Sequence, residues 1–184
     1  YELVGLKATR DIPKDGYFTE EDLGKKTGDR SFSSTRKWGL IVRPHDFEEM
    51  IEGLKPTFVE FHFSSHDLAH PLVFKNHPEL ELIAHAPELW GEMLLDFSSS
   101  DNEVVKNSIA HINVFLNTIR EIRKYFGKTP PKVKVVLHTG GMSYNEFVSK
   151  KDRAKMYTRL GNGLQKLDTN GVALLLETLA PFTW

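Results

Sequence analysis

The chain has 184 residues, with 24 Lys and Arg against 25 Asp and Glu and a formal net charge of -1. That length supports one domain with a sizeable core and a small appendage, and the charge balance excludes the global basic field that nucleic-acid binding calls for. With no cysteine, disulfides and thiolate metal sites are excluded, so any metal must use His, Asp or Glu, and no apolar run approaches the ~20 residues of a membrane span.

The N-terminus, Tyr1-Glu2-Leu3-Val4, lacks the basic and apolar layout of a signal peptide and lacks a starting Met. The chain is therefore expected to be a piece of a longer protein, with a cytoplasmic location as the default. Residues 3–9 read as a short strand. Pro13-Lys14-Asp15-Gly16 is a turn by composition, and Thr19 with Asp22 caps a helical turn. Residues 24–35 are polar and loop-like. The composition changes between Ser33 and Trp38, which separates a small β-rich appendage or linker, residues 1–35, from a main unit, residues 36–184.

From Trp38 strands and helices alternate. Residues 39–42 form a first strand, followed by a helix over 46–54 in which Asp46 and Glu49 fit a capping box. Residues 57–63 form a second strand and 80–85 a third. The stretch 63–78 between them has no helical pattern. A long helix opens at Asp101, with Ile109, Ile112, Leu116, Ile119, Ile122 and Phe126 at helical spacing. Pro130-Pro131 ends it, and 132–138 form the fourth strand. A helix over 151–167 and an Asn170-Gly171 turn lead to the fifth strand, 172–177. This alternation predicts an α/β fold with a parallel sheet and helical crossovers, TIM-barrel-like in plan. A full eight-stranded barrel takes roughly 250 residues. Five strands therefore imply a barrel truncated after about five strands or an open sheet, as a fragment or as a homo-oligomer that covers an exposed sheet edge.

Three of these strands stop at a metal-ligand residue: Leu82-Ile83-Ala84-His85, Val135-Val136-Leu137-His138 and Leu174-Leu175-Leu176-Glu177. In a parallel barrel the carboxyl ends of all strands share one rim. His85, His138 and Glu177 would converge there as two imidazoles and a carboxylate, a set suited to Zn²⁺ or a similar divalent ion. The plainer alternative is three polar caps facing solvent.

His85-Ala86-Pro87, Val136-Leu137-His138-Thr139-Gly140-Gly141 and Leu176-Glu177-Thr178-Leu179-Ala180 occur in this order, with a long helix before the second. The order and spacing resemble the first half of the xylose isomerase-like TIM barrels, which include sugar (phosphate) isomerases and epimerases and AP endonucleases of the endonuclease IV type. The resemblance covers about residues 38–184. It implies a metal-dependent isomerase or epimerase with Zn, Mn or Mg bound at or near His85, His138 and Glu177. In that family further ligands come from strands six to eight. The chain alone is therefore expected to bind metal weakly or not at all. Residues 6–16 together with Phe18-Thr19-Glu20-Glu21-Asp22-Leu23 resemble part of the SAF, or antifreeze-like, domain of sialic acid synthases. That resemblance implies a role in sialic-like acid biosynthesis.

Other residues have two readings each. Period-two alternation in Phe58-Val59-Glu60-Phe61-His62-Phe63 puts Glu60 and His62 on the polar face, as a satisfied buried pair or as catalytic groups. Asp67 and His66 follow on the same rim, as an acid/base group and a substrate contact or as ordinary turn residues. Arg43 ends the first strand and can hold a carboxylate or phosphate bidentately, or form a rim salt bridge. Trp184 and Phe182 form a sugar-stacking wall or pack in the core. Thr139-Gly140-Gly141 offers an anion nest or a tight turn. His45, His70, His77 and His111 read as structural or surface residues. The leading expectation is a carbohydrate or sugar-phosphate substrate, with neither membrane nor nucleic acid as partner. The alternatives are a non-catalytic sugar-binding or structural module of a sialic acid synthase and an AP endonuclease-like phosphodiesterase.

Overall fold

The computed structural model describes residues 7–12, 14, 22, 35–141 and 148–178. The helical cap at Thr19, most of the residue 3–9 strand and the Pro13–Gly16 turn, the polar 24–34 stretch, and Phe182 and Trp184 lie outside them. The chain divides into two compact units, Tyr1–Arg36 and Lys37–Trp184. In the first, Thr9 donates its backbone N–H to the Asp22 carbonyl at 2.7 Å, and Arg10 pairs with the buried Asp22 carboxylate.

The second unit is α/β. Its elements are β1 (Gly39–Val42), α1 (Phe47–Met50), β2 (Phe58–His62), α2 (Ser65–Leu68), β3 (Glu81–His85), β4 (Leu89–Trp90), β5 (Met93–Leu94), α3 (Asn102–Ile122), β6 (Val133–His138), α4 (Lys150–Leu164) and β7 (Val172–Glu177). Five strands form one parallel sheet in the order β1-β2-β3-β6-β7. The order follows the chain without reversal. β4 and β5 form a separate antiparallel hairpin between β3 and α3.

The register fixes which residues share a face. Val42, Phe61, Ala84, Val135 and Leu174 stand in line on one face. Helices cover that face: Phe47 of α1 lies 4.9 Å from Phe61, and Phe115 of α3 lies 5.5 Å from Phe63. Val59, Phe61, Leu82, Ala84, Phe115 and Leu116 are fully buried there. Burying such side chains stabilises by roughly 1.5–3 kcal/mol each, and the strands read as apolar because this face takes them. Ile41, Glu60, Ile83, Lys134 and Ala173 line the opposite face. It is less covered: Ile41 is 63% exposed and Leu175, two residues past Ala173, 45%.

Local chemistry adjusts several boundaries. α1 spans only four residues, and the Asp46 side chain does not cap it. Its Oδ1 instead accepts the Arg43 backbone N–H at 2.7 Å. α3 does have its cap, Asp101 accepting from Glu103 N–H. α4 starts at a Ser149 cap bonded to Asp152. The patternless 63–78 stretch contains α2, whose capping box joins Ser64 and Asp67. It also buries Phe74 and His77 as isolated insertions into the core. Among the described helices none is long and apolar enough to cross a membrane.

Candidate metal centre

β3, β6 and β7 are parallel neighbours, so their carboxyl ends fall side by side. His138 stands opposite Glu177 in register, and His85 lies opposite Val136, two residues before His138. One ligand atom from each of His85, His138 and Glu177 lies within 4.8 Å of the others. Glu177 Oε2 is 3.5 Å from His85 Nε2 and 3.8 Å from His138 Nε2. Both imidazoles therefore present the same nitrogen to the carboxylate. These distances are too long for good hydrogen bonds and leave room for a bridging cation.

The two imidazoles are held differently. His85 is buried, and its Nδ1 lies 3.0 Å from the Ala86 carbonyl. A carbonyl only accepts, so Nδ1 carries the proton and Nε2 keeps its lone pair, the tautomer a metal ligand needs. His138 is nine-tenths buried, and its Nδ1 has no hydrogen-bond partner among the described residues. Its Nε2 faces Glu88 Oε1 at 3.2 Å as well as Glu177.

A second group adjoins the first. Glu60, His62 and His85 also offer ligand atoms within 4.8 Å. The His62 ring stacks on His85 with centroids 4.2 Å apart and planes 19° apart. Its Nε2 lies 3.0 Å from Glu60 Oε1. A carboxylate accepts, so that nitrogen carries the proton and Nδ1 is the basic one. Burial holds the His62 imidazole below its ordinary pKa, helped by nearby His85 and Arg43 and opposed by Glu60.

A cavity of about 300 Å³ adjoins this rim, lined by Arg43, His62, Ser64, His85, Glu88 and Leu89 among others. The Arg43 guanidinium donates to the His62 carbonyl at 3.1 Å. It forms no ion pair with a carboxylate among the described residues. Asp67 and His66 are used elsewhere. Asp67 Oδ2 accepts from Ser64 N–H at 2.8 Å and Ser64 Oγ at 2.6 Å, closing the α2 cap, and His66 packs on His70 with ring centroids 4.4 Å apart. Trp184 lies outside the described residues. Gly140 and Gly141 have φ of 79° and 85°. A side chain at Gly140 would begin 2.4 Å from Asp96 Oδ1, so close packing on a carboxylate, rather than an anion nest, accounts for the glycine there.

Sequence reasoning did not single out Glu88. Its signal is weak: it follows Pro87 and precedes a two-residue turn at Gly91, where φ is 61°, a hairpin mark too short to read by alternation. Compared with protein-family models, curated proteins and solved structures, the chain has no match.

Proposed function

We propose that this chain carries the divalent-metal rim of a sugar or sugar-phosphate isomerase or epimerase, on the first half of a xylose isomerase-like barrel. The observation that carries the reading is the convergence of His85, His138 and Glu177 within 4.8 Å at the carboxyl ends of adjacent parallel strands. Two histidines and a carboxylate with open positions suit Zn²⁺ and, with added water, Mn²⁺. The sequential strand order supports the barrel over a doubly wound sheet, which reverses at a switch point. So does the exposed Ile41 and Leu175 face, which is the inner surface of an unclosed barrel.

The donor set fits a divalent ion. His85 is preset by the Ala86 carbonyl, while His138 lacks such an acceptor among the described residues. A missing partner of this kind costs about 10–100-fold in affinity, which favours weak binding. A divalent ion held there would polarise substrate carbonyl and hydroxyl oxygens. Beside it, Glu60 orients His62, and His62 Nδ1 accepts a proton from the carbon next to a carbonyl. Arg43 holds an anionic substituent across the cavity. The notion of a sialic-like acid pathway rests on residues 6–23 alone.

The test is metal-dependent exchange. With Zn²⁺ or Mn²⁺ present, proton NMR in D₂O should show deuterium entering the carbon next to the carbonyl of aldose or ketose substrates. Loss of exchange in His62→Ala, with metal binding retained, is the expected result. Metal-dependent nicking of abasic DNA without any exchange would replace this reading with phosphodiester hydrolysis.

A further inference from the structure

We infer that Glu88 carries the hydroxyl proton of the substrate, which makes the reaction an aldose–ketose isomerisation rather than an epimerisation. The inference rests on the metal-rim reading and deepens it. Glu88 lines the same cavity as Arg43, His62 and His85. Its side chain is half-exposed, and Oε1 lies 3.2 Å from His138 Nε2. Among the described residues the Glu88 carboxylate makes no other ion pair. It belongs to neither group whose ligand atoms lie within 4.8 Å of one another, so it stands beside the ion position and not on it. An imidazole nitrogen offers one proton or one lone pair. Once the lone pair of His138 Nε2 is committed to an ion, that nitrogen has no proton for Glu88. The carboxylate then faces the cavity with its acceptor capacity unused by any described residue.

Isomerisation of a hydroxyaldehyde to a hydroxyketone moves two protons. One leaves the carbon next to the carbonyl and arrives at the former carbonyl carbon. The other leaves the hydroxyl oxygen and arrives at the former carbonyl oxygen. One C–H and one O–H bond break, one of each forms, the C=O bond changes place and nothing is consumed. His62 Nδ1 takes the carbon proton, and its Nε2 is already turned to Glu60 at 3.0 Å, so it has no second vacant nitrogen. Of the other titratable groups on the cavity wall, Arg43 stays protonated. His85 gives Nδ1 to the Ala86 carbonyl and Nε2 to the ion. Glu88 is left to take the hydroxyl proton and return it. Epimerisation moves no proton between oxygens and would leave Glu88 without a task.

Glu88 is also held in place. Its carbonyl accepts from Leu95 N–H at 2.9 Å at the base of the β4–β5 hairpin. The hairpin is tied down twice: Gly91 N–H donates to Ser65 Oγ at 3.1 Å, and Trp90 stacks on His111 of α3 with centroids 4.1 Å apart. A loop fixed in this way holds a reacting group within the tolerance that chemistry requires.

The competing role is structural: Glu88 only steadies His138. Glu88→Gln keeps an acceptor oxygen toward His138 and loses the capacity to carry a proton, so it separates the two. The full chain with Zn²⁺ or Mn²⁺ is given free and phosphorylated pentoses and hexoses in D₂O. Proton NMR follows deuterium exchange at carbon and conversion between aldose and ketose. As a proton carrier, Glu88→Gln lowers conversion by about 100-fold or more with a much smaller loss of exchange, so the ratio of exchange to conversion rises. Glu88→Asp, which keeps a carboxylate, retains more conversion than Glu88→Gln. By calorimetry, metal affinity in Glu88→Gln changes by less than the roughly 10-fold that a lost partner of a ligand costs. An unchanged ratio, a larger loss of metal affinity, or epimers as the sole product of the unaltered chain overturns the Glu88 assignment and leaves the metal rim standing. No exchange by the unaltered chain with any of these sugars overturns the isomerase reading and this inference with it.

Discussion

Two histidine–carboxylate clusters sit at opposite ends of β3, and they are built on different accounts. Before the strand, His77 is buried with Nε2 3.1 Å from Glu48 and Nδ1 3.3 Å from Glu79. Phe47 meets its ring edge-on at 4.9 Å, and Phe126 stacks at 6.0 Å. Each nitrogen has one acceptor and the faces are packed. After the strand, His138 has two carboxylates on one nitrogen and, among the described residues, no partner on the other. The same residue types place one carboxylate at each nitrogen at one end and two carboxylates at one nitrogen at the other. A buried polar atom without a partner is costly, and among the described residues His138 Nδ1 is one and neither nitrogen of His77 is.

The contrast breaks most visibly in the core behind His77. Phe61 is fully buried and its ring meets those of Phe47, Phe63, Phe74 and Phe126. Phe61→Ala should destabilise by about 3–5 kcal/mol, measured by urea unfolding, and a smaller loss would mean that this cluster repacks.

At the rim, His138→Ala should weaken Zn²⁺ binding by at least about 100-fold, or about 2.7 kcal/mol, by calorimetry. The fold should survive, because among the described residues His138 makes no hydrogen bond through Nδ1. His77→Ala should do the reverse. It removes a packed ring and its polar contacts to Glu48 and Glu79, and should cost about 1–3 kcal/mol of stability with Zn²⁺ affinity unaltered. If His77→Ala instead lowered metal affinity, the two ends would be coupled and the comparison would fail.

Gly140→Ala tests the rim's packing. Its left-handed φ and the Asp96 contact should cost about 1–3 kcal/mol in thermal or urea unfolding.

The smallest effect is electrostatic. Burial raises the Glu48 pKa, but hydrogen bonds from His77 and Lys75 and their charges outweigh it, so the folded value lies below the ordinary one. A depressed carboxylate contributes stability that is present above its unfolded pKa, about 4.3, and is lost as pH falls through the folded value. Glu48→Gln should flatten that acid limb of the stability profile. An unchanged limb would show that Glu48 does not couple to folding.

Much of this was legible in the chain, for reasons that differ by residue. The five parallel strands follow from apolar runs separated by helical periodicity, since a strand buried by helices must be apolar. The run Val172–Glu177 gave its strand end to end. His85, His138 and Glu177 were legible because they end such runs, and parallel topology puts those ends together. Asp67 had two readings, an acid/base group or a turn residue, because a carboxylate three residues after a serine serves either purpose in sequence. The fold shows the capping contact, which brings Ser64 N–H and Oγ onto Oδ2. Glu88 carried no pattern of its own.

The sequence by itself determined the alternation of strands and helices, the absence of thiol chemistry and the residue types at three strand ends, because hydrophobic periodicity and composition are local properties. The tertiary structure alone decided which nitrogen of His85 and of His62 is free, that His62 stacks on His85, that Glu88 reaches His138 and that His77 meets one carboxylate at each nitrogen. Those depend on atoms from distant segments meeting within about 3–4 Å, and hydrogen bonding and coordination act only at such range.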